Sequence, residues 1–290
     1  MNEIEKMAED IKAKPSWYKD LKWVFGLVFF FSFGLTQLAY NFVWITEEER
    51  AIEVNAALMA ASLSRGGLDD TSDIEEVRRM LVQSGEDRFQ PIPGVDLFVT
   101  KDEIDAVLKS SSPRQARIDF FKNFSRPLYK EGAEGLASLS DDPKLKQQIL
   151  EGAGPLAVLS YRNHLLARKI FAVLAVVSAI SLFFLVFFSR RFGRLSVPGV
   201  IILISTLPWF ALTALLSFGF AKKVTEAKPI SEETESMNVV MNVAANVLAD
   251  PMKTISGRYL AVTLVGIGLI AMAIFGRATL AIVRKIRRTP

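Results

Sequence analysis

The chain has 290 residues, half of them apolar, with 21 Phe, no Cys and a single His. The missing thiols exclude disulfides, cysteine-ligated zinc, iron–sulfur clusters and thiol catalysis, and a lone His164 cannot build a histidine-rich metal site. A net charge of +4 is too small to suggest nucleic acid. The positive mean hydropathy argues against a purely soluble chain, because the apolar residues come in blocks rather than at helical or strand period.

Taken in chain order, the first uncharged block runs from Trp23 to Ile45. A helix rises about 1.5 Å per residue, so roughly 20 apolar residues cross about 30 Å of hydrocarbon, and this block is long enough. Its charged preface is long, it balances acids against lysines, and no small-x-small cleavage site follows. A retained anchor is therefore expected rather than a signal peptide. Trp17, Tyr18, Lys19, Lys22 and Trp23 read as an interfacial belt at one end, and Tyr40 and Trp44 at the other. Gly34, Gln37 and Asn41 share one face of this helix. Two amides in lipid are costly without partners, so that face should point inward as interhelical glue or, on the sharper reading, line a path for a solute.

Residues 46–169 read as helical by their start signals. Thr46 with Glu49, Ser72 with Glu75 and Thr100 with Glu103 each fit a capping box. Ser112-Pro113 and Asp142-Pro143 should open further helices, since proline loses no hydrogen bond at the first helical position. Ile74, Val77 and Leu81 form one apolar stripe, Ile104, Val107 and Leu108 another, and Phe120, Phe121, Phe124 and Leu128 a third. Breakers at Gly66-Gly67, Gly85, Pro91 to Gly94 and Gly152 to Pro155 separate these units, and only Val95 to Val99 alternates like a strand. The acid groups Glu47-Glu48-Glu49, Asp69-Asp70, Asp141-Asp142 and Glu232-Glu233 could hold Ca²⁺ or do acid–base work, but most sit where helix starts favour them.

Three more uncharged blocks follow: Ile170 to Phe188, Val197 to Ala221 and Tyr259 to Gly276. No stop signal separates Pro155 from Ser189, so the second span is expected as one long helix beginning outside the bilayer. Ser205, Thr206 and Pro208 mark a kink in the third span, where proline frees the carbonyl of Ile204 for nearby hydroxyls. Ala172, Ala175 and Ala179 in the second span, and Gly268, Ala271 and Ala273 in the fourth, permit close helix approach. Between the third and fourth spans, Met237, Val240, Met241, Ala244 and Leu248 share the face of a short helix that Asp250-Pro251 should end. Its polar face carries Asn rather than Lys or Arg, so packing on the larger loop domain is expected over lying on lipid.

Orientation follows the basic residues. Arg190, Arg191 and Arg194 fill one short loop without acids, and Arg284, Lys285, Arg287 and Arg288 end the chain. Both should face the cytoplasm. The expected order is then a cytoplasmic segment 1–22, span 23–45, an extracytoplasmic helical domain 46–169, span 170–188, a basic loop 189–196 and span 197–221. An extracytoplasmic loop 222–258 with its short helix, span 259–276 and a basic tail 277–290 complete it. The fold class expected is an all-α membrane protein of four transmembrane helices, in the cell membrane with both termini cytoplasmic.

No phosphate loop, H-E-x-x-H or G-x-S-x-G is present, so no catalytic residue, cofactor or metal is expected. The layout of one span, a large loop and three further spans with a smaller loop resembles the FtsX-type permease subunits of cell-division ABC systems. That resemblance implies a transport component, although those loops carry mixed α/β modules and this one reads as helical. Claudins and tetraspanins share the span count but not the cysteine-free loops. The residues themselves favour a non-enzymatic scaffold or accessory subunit whose outer domain docks a partner. Its partners would be the lipid bilayer and a second protein or another copy of the chain; the alternative is a transport component such as an oligomeric pore.

Overall fold

The computed structural model describes residues 17–62, 68, 71–90, 94, 98–152, 154–225 and 235–286; at 62, 154–155, 220–225, 235–246 and 284–286 it describes the backbone alone. In chain order come α1 (Trp17–Ile45), α2 (Glu48–Ser62), α3 (Ser72–Ser84), the strands β1 (Arg88–Phe89) and β2 (Val99–Thr100), α4 (Lys101–Lys109) and α5 (Pro113–Glu131). They continue with α6 (Ala133–Ala137), α7 (Pro143–Gly152), α8 (Gly154–Ala157), α9 (Tyr161–Phe188), α10 (Gly193–Thr225) and α11 (Glu235–Ile286). The chain is mostly helical, and α1, α9, α10 and α11 are each long and apolar enough to cross a membrane.

The chain divides into two units. In the first, described residues 17–39, 170–212 and 256–286, all four long helices feed one core. Phe29, Leu185 and Ile202 are buried at its centre, with Phe25, Phe33, Leu182, Ile201, Val262 and Leu269 packed around them. Phe25 stacks on Phe184 at 4.7 Å, and Tyr18 meets Phe188 edge-on at the same distance. The opposite faces are apolar and bare: Trp23 is 77% exposed and Phe275 72%. Hydroxyls sit inside instead, among them Ser32, Thr36, Ser178, Ser181, Thr206 and Thr263. A water-solvated bundle would be built the other way round, so lipid is the solvent this surface fits. Ser189 to Phe192 turn the chain sharply from α9 into α10, with Arg191 at φ 45°.

The second unit, Tyr40–Lys169 with Thr213–Ile255, has α2 laid on α5. Ala56, Ala57, Ala60 and Ala61 give α2 a face of small side chains, and Ile118 of α5 and Val247 of α11 join the same core. Val247 and Leu248 thus bring the second loop's helix onto this core, while the face through Met237 to Ala244 lies outside the described side chains.

Three helix starts behave as expected. Thr100 and Glu103 form the reciprocal capping box, Ser112 accepts from the amide of Gln115 ahead of Pro113, and Asp142 accepts from the amide of Lys144. Others differ. Thr46 is no N-cap: it ends α1, whose last carbonyls lack amide partners, and its hydroxyl donates to the carbonyls of Phe42 at 2.7 Å and Val43 at 3.2 Å. The cap before α3 is Thr71, one residue earlier than Ser72, and makes no side-chain bond to the helix backbone. The second span starts at Tyr161, not Pro155. Asn163 donates to the carbonyls of Ala157 and Val158, taking groups a continuing helix would use. Asp250-Pro251 does not end a helix, because α11 runs through it with Val247 and Ile255 buried on either side. Burial of that kind offsets the roughly 3 kcal/mol that an interior proline costs. The strand expected at Val95 to Val99 is Val99–Thr100, paired antiparallel as Arg88 with Thr100 and Phe89 with Val99; residues 95–97 lie outside the described residues.

Candidate functional site

The intramembrane polar residues come first. Asn41 is buried, while Gly34 and Gln37 are half-buried. Ser205 and Thr206 are buried in α10, and both hydroxyls donate to the carbonyl of Ile202, not to that of Ile204. Thr206 also meets Thr263 of α11 at 3.0 Å, as Thr36 of α1 meets Ser178 of α9 at 3.1 Å. Neither pair is evident in the sequence, because a lone hydroxyl in an apolar run carries no period. The helix is continuous through Pro208. Close approach between α10 and α11 is made at Gly199 and Gly266. A methyl group on either would stand about 3 Å from the other's carbonyl oxygen. Ala172 and Ala179 are exposed, and Gly268 has open space around its α-carbon.

Of the basic anchors, Arg190, Arg191 and Arg194 are exposed at the α9–α10 turn, where Arg194 donates to the carbonyl of Ser189 at 3.3 Å. Arg284 and Lys285 fall in the backbone of α11, and Arg287 and Arg288 lie outside the described residues.

A cavity of about 430 Å³ opens in the second unit. Its walls take part of each stripe noted in the sequence, Ile74 and Val77 from α3, Ile104 and Val107 from α4, Phe120 and Phe121 from α5; Met80 lines it where Leu81 does not, and Phe89 and Val99 of the strand pair close it. Four charged residues line it: Asp73, Glu76, Glu103 and Arg117. Arg117 is 6% exposed, and its two terminal nitrogens donate to the two oxygens of Asp73 at 3.0 and 2.6 Å. Such a fork is the strong form of an ion pair, and here it ties α5 to the start of α3. Glu103 is spent on the backbone amide and hydroxyl of Thr100. Glu76 is exposed, so the recess is apolar with acidic character at its surface.

A second node joins three helix ends. Thr46 faces His164 Nδ1 at 3.1 Å, and the Tyr129 hydroxyl donates to the Thr46 carbonyl at 3.2 Å. Burial raises the Tyr129 phenol above its ordinary value, helped by the charges of Glu48 and Glu47 and by Tyr161. At the surface, the Lys122 ammonium holding Asp119 pulls that carboxyl below its usual range.

Among the described residues no group of three His, Asp or Glu is placed to hold a metal ion. Glu47 pairs with Arg50, while Asp69-Asp70 and Glu232-Glu233 lie outside the described residues. The cavity therefore brings together apolar surface and carboxylates. No family model, no curated protein and no solved structure matches the chain.

Proposed function

We propose that this is a non-enzymatic multi-pass membrane protein, a scaffold or accessory subunit whose domain between the first and second spans docks a partner on the extracytoplasmic side. The observation that carries this reading is the 430 Å³ recess walled by Val77, Met80, Phe89 and Phe120, with Glu76 exposed beside it. An apolar side chain flanked by Lys or Arg is the anchor such a recess accepts. A photo-crosslinking residue at Met80, in the full chain in native membranes, should give one discrete adduct. Glu76→Lys should weaken it severalfold, and the same probe at exposed Gln147 should give none. Equal yields at both positions, indifferent to Glu76→Lys, would refute the docking role.

The alternative, a transport component, needs a wet path. The hydroxyls of Ser205 and Thr206 are spent on the backbone and on Thr263, and neither Gln37 nor Asn41 lines the 430 Å³ recess. Flux of a solute that disappears in Gln37→Leu with Asn41→Leu, while assembly persists, would reverse that ranking.

A further inference from the structure

We infer that the 430 Å³ recess is also a site for a small apolar ammonium compound, one positive charge on a compact aromatic or alkyl body. On the docking reading, on which this rests, a free amine seated there is a regulator, because it excludes the partner's anchor. The volume falls within the range of about 300–1,000 Å³ usual for small-molecule pockets.

The charges on the walls decide the sign of the ligand, and three of the four are already committed. Both terminal nitrogens of Arg117 donate to Asp73, at 3.0 and 2.6 Å, so the fork is not open to an anion. Glu103 accepts from the amide of Thr100 at 2.9 Å and from its hydroxyl at 2.8 Å, at the start of α4, where the helix dipole offsets its charge. Glu76 has no hydrogen bond or ion pair among the described residues. It lies one turn from Met80 on α3, and both are exposed, which puts a free carboxylate at the mouth. An anion would meet Glu76 and Glu103 and find no free donor.

The apolar walls decide the body. Phe89, Phe120 and Phe121 offer ring surface, whose faces attract a cation. Ile74, Ile104 and Val107 offer no polar group, so a metal ion, a polyamine or a peptide backbone would lose hydration there without replacement. One ammonium at Glu76, with its apolar body on the rings, meets both conditions.

The full chain, purified in detergent, is titrated calorimetrically against a detergent blank with phenylbutylamine, phenylbutanol and phenylbutyrate, which share one body and differ in charge. The amine should bind about fivefold tighter than the alcohol, the upper range for an exposed ion pair, and the acid weakest. Glu76→Gln, at an exposed position that folding tolerates, should bring the amine down to the alcohol and leave the alcohol unchanged. Val77→Phe, which fills the recess, should weaken all three. An N-acetylated Phe-Lys amide is titrated in parallel: weaker binding than the amine assigns the site to a free amine, and tighter binding assigns it to a partner's segment and overturns the regulator. Equal affinity for the three compounds, an amine preference that survives Glu76→Gln, or a Met80 adduct indifferent to saturating amine would also overturn the proposal. Binding to the purified chain needs no partner, whereas the adduct does. A chain that yields the adduct and binds no amine loses the amine site and keeps the docking role; one that binds the amine and yields no adduct keeps the site and loses the docking role.

Discussion

Arg117 is the residue on which the 430 Å³ cavity depends. With one partner removed, its guanidinium or the Asp73 carboxylate is left in a mostly apolar wall, and breaking a buried pair this way costs about 3–5 kcal/mol. Asp73 is partly exposed, so Arg117→Ala should cost about 2–3 kcal/mol, read as a lowered denaturant midpoint. Arg117→Met with Asp73→Leu should recover most of it, because no charge is then stranded. Tyr129 gives a pH signature. Its folded value is raised, so the fold prefers the neutral phenol: that stability is whole below about pH 10 and is lost as pH rises through the raised value. Tyr129→Phe should cost about 1 kcal/mol near neutrality, for the lost bond to Thr46, and should soften the alkaline unfolding followed by circular dichroism. Single residues were only partly legible in the sequence. Thr100 caps as its spacing says, but the same spacing misleads at Thr46, because the helix ending there claims the hydroxyl first.

At the scale of elements, the four long helices were legible and their ends were not. Uncharged runs mark the lipid-crossing length. Where a helix stops depends on who takes its terminal carbonyls, as Asn163 does before α9, and on what packs beside a proline, as at Pro251. The contact between α10 and α11 was also hidden, since Gly199 and Gly266 are far apart in sequence and look like any glycines in an apolar run. Space around them makes the difference testable. Gly199→Ala would drive a methyl to 2.9 Å from the Gly266 carbonyl oxygen and 3.0 Å from Leu269. It should destabilise the detergent-solubilised chain by about 1–3 kcal/mol, the usual cost of overpacking. Gly268→Ala, with nothing within 4 Å, should be neutral or gain up to about 1 kcal/mol of helix propensity. Equal losses at both sites would mean the two helices do not meet at Gly199.

For the whole molecule the decisive pattern is hydroxyls inside and bare apolar side chains outside, because it names the solvent before it names any task. The recess assembles residues from separate stretches of sequence, which is why the apolar stripes were legible and the recess they enclose was not. What the basic residues add is direction. Arg190, Arg191 and Arg194 stand exposed in a turn too short to hold compensating acids, and a short arginine-rich loop is the segment a membrane potential and an anionic inner leaflet retain. On the proposed topology, a single crossing by α9 puts residues 46–169 on the face opposite that loop. The chain has no native cysteine, so single thiols report cleanly. A thiol at Thr100 should react with an impermeant maleimide in intact cells, whereas one at Ser196 should react only after permeabilisation. Removing the charge at Arg190, Arg191 and Arg194 together should weaken that asymmetry, because each arginine near the surface contributes about 1 kcal/mol. If both thiols were protected equally in intact cells, the docking recess would face the cytoplasm, and its partner would have to be sought there.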